Sequence, residues 1–585
     1  MSRNERNGFH RCVLGIALLS QLACHPPSKN PTLESPSSDV SSSRVSAPNV
    51  STSEFDSTEK PALESLRPKF HFEEVQGLFG LDHTYQNGER GQLLLVESFG
   101  GGSGWLDFDR DGKLDLFLNQ GGDATQIDTS TALLDQLFRN RGDRFENVTT
   151  SSLIRETGYS QGVAIGDFDN DGFDDIYITN VGPNTLWHNC GDGTFIEIGE
   201  RAGVADSNWS ASAAWFDIDL DGDLDLYVCN YVEYDLQHPI QCKNEKGQLV
   251  VCNPKRFEPT ADACYINQGD GSFLERAKDL GLNGPDNRAL GVVAADFNCD
   301  GLVDIYVAND ATPNFLFMSD GKGAFQDKAK LLGCAVDRRG QSQASMGLAV
   351  NDYDRNGFLD IYSTHFFSES NTLYSNLGEA GFQDVTGNTG LHEPTLDRLA
   401  FGTVMQDFNA DGHMELFVAN GHVDNSGENP NQSMRPQLFS WAGKKWLNVS
   451  TESGKYFDGR YIGRGVSQGD FDGDGDVDLV VTHQNKPTAL LRNDSTQGNW
   501  LSLSFSGTKS NRSGVGCCVT LTSGDVLLYQ ELVGGSSYCS SHQAHLFFGF
   551  EGGNETCDLR IRWPNGTVQF LSKLRIKQHF LAVEP

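Results

Sequence analysis

The stretch "LDFDRDGKLDLFL" (residues 106–118) places Asp107, Asp109, Asp111 and Asp115 around Gly112. Four carboxylates this close repel one another unless a cation or protons lie between them. The pattern D-x-[DN]-x-[DN]-G-x-x-[DE] recurs six more times, at 167–175, 217–225, 296–304, 352–360, 407–415 and 470–478. Successive starts are 60, 50, 79, 56, 55 and 63 residues apart, the mark of an internal repeat.

Alternation at positions 1, 3 and 5 turns three side-chain oxygens inward. Glycine at 6 allows a sharp turn, and position 9 closes the set. The first loop offers Asp107, Asp109, Asp111 and Asp115, and the second Asp167, Asp169, Asp171 and Asp175. The third offers Asp217, Asp219, Asp221 and Asp225, and the fourth Asp296, Asn298, Asp300 and Asp304. Asp352, Asp354, Asn356 and Asp360 form the fifth, and Asp407, Asn409, Asp411 and Glu415 the sixth. The seventh has Asp470, Asp472, Asp474 and Asp478. Oxygen donors without Cys or His at these positions favour Ca²⁺ over zinc or copper. Up to seven structural Ca²⁺ ions are expected, with extracellular-type affinities on the order of 10⁻⁴–10⁻³ M. The four-aspartate loops at 107, 167, 217 and 470 are expected to bind best.

An EF-hand would need a glutamate at position 12 and a following helix. Position 12 is instead Leu118, Ile178, Val228, Val307, Ser363, Val418 and Val481, within apolar runs such as "DIYITN" (175–180) that read as strands. Farther on, "LFRNRGDRF" (137–145) and its counterparts at 186–195, 264–273, 316–325 and 373–382 read as strand, glycine turn, strand. About four strands per repeat is the content of a propeller blade. The fold class is therefore all-β: a seven-bladed β-propeller over 68–495, followed by a small β-rich domain over 496–585. The seventh repeat lacks its last strand, and "FHFEEV" (70–75) is expected to supply it and close the ring.

The 585-residue chain carries 45 basic and 79 acidic residues, for a net charge of −34, which argues against a nucleic-acid partner. Arg3, Arg6 and Arg11 precede the short apolar run "CVLGIALL" (12–19) and "SQLAC" (20–24). Residues 1–24 read as an export signal of lipoprotein type, with Cys24 as the lipidated residue and plain secretion as the alternative. The Ser- and Pro-rich 25–67 stretch reads as a tether. Of the exported cysteines, Cys242 and Cys252 are the candidate disulfide.

Five residues beyond each last loop ligand stand Gln120, Asn180, Asn230, Asn309, His365, Asn420 and His483. Five before each first ligand stands glycine, or Ser212 in the third repeat. Antiparallel pairing would make the two sets cross-strand neighbours and form a polar ring at the channel mouth, a possible ligand ring. Simple strand-end turn residues are the plainer reading. Arg141-Gly142-Asp143 spells an adhesion tripeptide, but Gly-Asp recurs as the repeat's own turn. No nucleophile elbow, P-loop, dinucleotide fingerprint or zincin motif is present.

The loops resemble the FG-GAP/VCBS repeats of integrin-α-type β-propellers. "NWLSLSFSGTKSNRSGVGCCVTL" (499–521), "ELVGGSSYCSSH" (531–542) and "LRIRWPNGTVQ" (559–569) resemble the ASPIC/UnbV domain of the cartilage acidic protein-like family. The resemblance implies a calcium-binding, secreted or surface-attached protein. The functional expectation is a surface scaffold for an unknown surface protein or glycan, touching membrane only through its lipid anchor. The alternative is an extracellular polysaccharide lyase or hydrolase with its site at the propeller axis near His365 and His483.

Overall fold

The structure, a computed structural model, describes residues 70–122, 133–424, 429, 431–495, 498–552 and 554–585. The export signal, Cys24 and the 25–67 tether lie outside the described residues. Seven four-stranded antiparallel sheets follow one another, each in simple up-and-down order. Blade 2 is representative, with strands Ser160–Gly166, Asp175–Asn180, Thr185–Asn189 and Phe195–Glu197. The acidic loop joins its first two strands and the glycine turn its last two. Alternation along the second strand sends Tyr177 to one flank of the sheet and Ile176 and Ile178 to the other, so each blade packs on both neighbours.

The ring closes as the repeat count requires. Phe72–Glu74 is the outer strand of blade 7, with Phe72 opposite Asn493 and Glu74 opposite Leu491. Blade 3 carries an insertion whose small hairpin holds the Cys242–Cys252 disulfide.

The C-terminal module packs a three-stranded sheet on a four-stranded one around Leu503, Val519, Phe548, Ile561 and Trp563. Between two of its strands the chain leaves the module and enters the propeller axis. Segment 534–543 bonds to the inner strand of every blade. Gly534 exchanges backbone bonds with Ala294, Ser537 with Leu348, and Ser541 with Ser103 and Trp105. Cys539 O accepts from Val163 N, Cys539 N donates to Ser212 Oγ, Thr403 N to Ser537 Oγ, and Gln543 N to Gln468 O. Tyr538 and Cys539 are fully enclosed.

A second segment closes the other end of the axis. Leu94–Phe99 packs on Tyr159, Trp209, Tyr231 and Phe401, with the Phe99 ring 5.1 Å from Tyr231 and 5.9 Å from Phe401. Phe401 in turn meets Tyr538 of the plug at 4.9 Å, so the two fillings touch. The inner strands crowd so closely that a Cβ on Gly347 would lie 2.2 Å from the Phe401 carbonyl of the next blade. Among the described residues no helix is long and apolar enough to cross a membrane.

Candidate metal centres

Each acidic loop is built by the same backbone bonds. The position-1 aspartate accepts from the position-6 glycine N–H in all seven, from 3.0 Å in Asp107–Gly112 to 2.6 Å in Asp407–Gly412. The position-5 side chain accepts from the position-7 N–H, as in Lys113 N to Asp111 Oδ1 at 3.0 Å. The position-9 carboxylate is the most enclosed member. One Asp115 oxygen takes Phe108 N and the other takes Asn140 N from the third strand. In the sixth loop Glu415 is one methylene longer, and Ser440 Oγ replaces that third-strand amide at 2.9 Å.

These bonds leave several oxygens facing one another. Carboxylate oxygens of Asp107, Asp109 and Asp115 lie within 4.8 Å of each other, as do the matching sets at 167, 217 and 352. Asp167 Oδ1 and Asp217 Oδ1 are buried and accept no hydrogen bond among the described residues. Burial, reinforced by the neighbouring carboxylates, pushes Asp115 and Asp225 up to about 8 and Asp217 up to about 7. Orphaned buried oxygens and an all-oxygen donor set fit a hard divalent cation.

The loops are not electrically equivalent, and aspartate count alone does not rank them. Arg139, from the third strand of blade 1, lies 2.5 Å from Asp109 and 3.2 Å from Asp111. Arg562, from the C-terminal module, lies 2.5 Å from Asp296 in the fourth loop. His188 stands over the second loop, 3.1 Å from Asp175. None of these neighbours belongs to a loop, so the loop motif does not announce them.

The third strand supplies a further fastener. Asn189 Nδ2 donates to Phe108 O of the preceding blade at 2.8 Å and to Asp174 O of its own at 3.2 Å. Asn140, Asn267, Asn376 and Asn493 repeat this brace across four other seams. The signal was visible as the Asn of "LFRN", "LWHN", "CYIN", "LYSN" and "LLRN". Asn189→Ala takes this donor from a buried carbonyl and a half-buried one and is expected to cost about 1–3 kcal/mol in chemical denaturation.

The ligand ring expected at the channel mouth does not form. Gln120, Asn180, Asn230, Asn309, His365, Asn420 and His483 are all buried, and their side chains bond to groups inside the fold, as Gln120 does to Thr84 O and Gln86 N. Asn180 Nδ2 donates to Pro183 O, Asn309 Nδ2 to Pro313 O, and Asn420 Nδ2 to Arg435 O. A β-bulge in the inner strand also shifts the register, so Asn180 faces Ser160, and Gly162 faces Thr179. The axis is filled from both ends by described residues, and His365 and His483 are themselves fully enclosed.

Both histidines are held neutral by burial, with pKa values pulled down to about 4. His365 Nδ1 donates to Ser370 O, and His483 Nδ1 to Pro487 O. A folded-state pKa below the ordinary 6.5 means stability that is present above pH 6.5 and lost as pH falls toward about 4. Replacing both by Asn, the residue of four sister blades, should lessen the drop in melting temperature between pH 7 and pH 5, read by thermal melts at about these two values.

The geometry defines a seven-bladed propeller whose blades each carry an acidic cage, capped by a module that plugs its axis. The FG-GAP-like repeat model matches residues 107–178, 167–228, 248–307, 296–363, 352–418 and 407–481, and the ASPIC and UnbV model matches 507–585. The chain belongs to the FG-GAP-like repeat family and carries an ASPIC and UnbV module. It is 26% identical to cartilage acidic protein 1 of Xenopus tropicalis over 446 residues, covering 71% of this chain and 63% of that protein. For cartilage acidic protein 1 of Homo sapiens the identity is 25% over 444 residues, with 71% and 62% covered. The aligned part thus spans less than two thirds of these relatives. Among solved structures, an Agrocybe aegerita lectin aligns with TM-score 0.37 and 15% identity over 68% of this chain and 91% of its own. The BP39L lectin of Burkholderia pseudomallei aligns with TM-score 0.38 and 9% identity over 68% and 97%.

Proposed function

We propose that the chain is an exported, calcium-stabilised scaffold, lipid-anchored through Cys24, whose outer surface binds a surface protein or glycan. The observation that carries this reading is the repeated cage: a glycine-closed carboxylate loop in all seven blades, with carboxylates gathered within 4.8 Å in the loops at 107, 167, 217 and 352 and buried oxygens of Asp167 and Asp217 left without a donor, a chemistry that suits calcium at extracellular concentration. The filled axis supports binding rather than turnover, because the place where a propeller enzyme would hold substrate is occupied by residues 534–543 and 94–99. When bound, calcium supplies charge neutralisation. The chain's own residues do the rest, the position-1 and position-9 carboxylates fixing the hairpin and the Asn braces passing that rigidity across the seams.

The test is a glycan and surface-protein binding screen with the exported chain, in calcium and in EDTA. Binding that is present in calcium and lost with EDTA, without chemical change in the ligand, is expected. Turnover of a glycan that disappears when His365 and His483 are replaced would overturn the scaffold reading.

A further inference from the structure

One third-strand position is equivalent in all seven blades, next to the residue whose amide braces position 9 or, in blade 6, supplying that brace itself. It is Arg139, His188, Ile266, Met318, Ser375, Ser440 and Arg492 in blades 1 to 7. Only blade 2 places an imidazole there. His188 Nδ1 is 3.1 Å from Asp175 Oδ1 and 3.6 Å from Asp169 Oδ2, and its side chain is 25% exposed. Ligand atoms of His188, Asp169 and Asp171 lie within 4.8 Å of one another, and Asp169 belongs equally to a second such set with Asp167 and Asp175. Asp167 is 3% exposed. Its Oδ2 is taken by Gly172 N at 2.9 Å, while Oδ1 accepts no hydrogen bond among the described residues. Asp169 thus links a set that holds a nitrogen to one that holds a buried oxygen without a donor, an arrangement that asks for a cation rather than for more hydrogen bonds.

We propose that the second loop is a mixed nitrogen–oxygen site that takes a borderline first-row cation of the Zn²⁺ and Co²⁺ class in preference to calcium, with His188 Nδ1 as the selecting ligand. The inference rests on reading the loops as cation sites. The physical ground is ligand softness. Calcium prefers six to eight oxygens in a flexible shell, whereas an imidazole nitrogen adds little for calcium and much for a first-row transition cation. The sister loops show the contrast within one chain. Ser375 offers blade 5 a hydroxyl that donates to Asp354 at 3.3 Å, and Arg139 gives blade 1 a fixed positive charge on its third strand, whereas the second loop has its arginine, Arg512, 3.9 Å away on Asp167 Oδ2 and keeps the third-strand position for the imidazole.

The experiment uses the full chain, stripped with EDTA and held in excess calcium, with Co²⁺ as a visible-absorption probe. One equivalent of Co²⁺ with a nitrogen-containing ligand-field spectrum is expected to survive the calcium excess. His188→Ser copies blade 5 and His188→Arg copies blade 1, so both use side chains that sister blades accommodate. Each should weaken Co²⁺ binding at least about tenfold while leaving the calcium-dependent rise in melting temperature in place. A spectrum that is absent, or unchanged in both variants, would overturn the inference and leave His188 as a counter-ion like Arg139. A wild-type chain whose melting ignores calcium, yet which keeps the His188-dependent spectrum, would overturn the calcium reading and leave this one standing.

Discussion

Chelating calcium is expected to destabilise the folded chain by roughly 4–13 kcal/mol in about 2 mM Ca²⁺, since seven sites of roughly 10⁻⁴–10⁻³ M affinity would each contribute about 0.6–1.8 kcal/mol by mass action. This is comparable with the whole stability of an ordinary domain, so the EDTA-treated propeller should melt at much lower temperature. The sign of the pH dependence follows from the cages. In the metal-free chain, burial raises Asp115, Asp225 and Asp304 to about 8, well above the ordinary 3.8. The metal-free fold therefore holds protons that the unfolded chain has released, and it loses stability as pH rises from about 4 through about 8. Bound calcium would take over the role of those protons. The gap between calcium and EDTA melts should accordingly be wider at about pH 8 than at about pH 6. A gap that narrows with rising pH would contradict the assignment.

The second large effect is expected at Arg464. Its side chain is fully buried, and no carboxylate pairs with it among the described residues. Nε donates to Ser98 O at 2.9 Å, and Nη1 to Gly421 O at 3.0 Å and Gly463 O at 2.8 Å. The guanidinium carbon sits 4.1 Å from the centre of the Phe401 ring. Burial without a counter-ion pulls its pKa down to about 9, so the ion is held by oriented carbonyls and the ring face. Arg464→Met relieves the cost of burying a charge but strands the carbonyls that join the 94–99 segment to blades 6 and 7. We expect the stranded carbonyls to decide the balance, for a net loss of about 3 kcal/mol in chemical denaturation. Arg464→Lys should recover only part of it, because an ammonium cannot span the same fork. A variant as stable as the parent would show that desolvation of the guanidinium offsets everything it holds.

Much of this architecture is legible in the chain because a repeat multiplies weak signals. One "DFDRDGKLD" is an acidic turn, but seven of them with glycine at position 6 and valine, leucine or isoleucine following specify strands, spacing and blade count together. The missing strand of blade 7 points to Phe72–Glu74 by subtraction. What stays hidden depends on contacts between distant segments. Tyr538 and Cys539 look like any Gly- and Ser-rich loop, and only the inner-strand register shows them to be an axial plug. The Gly162–Asn180 pairing fails because a bulge moves the partner to Ser160, a one-residue event that equal spacing from the hairpin does not reveal. Arg139, His188 and Arg562 escape notice because a motif reports its own carboxylates and not the charges brought to them from another strand or module.

Calcium bound per chain, measured by calorimetric titration of the EDTA-stripped protein with parallel melts, tests the cage directly. Several equivalents, up to seven, with a melting temperature that climbs as they bind, are expected. A chain that binds no calcium, or whose melting is the same in calcium and EDTA, would contradict the claim that these loops hold the propeller together through ions.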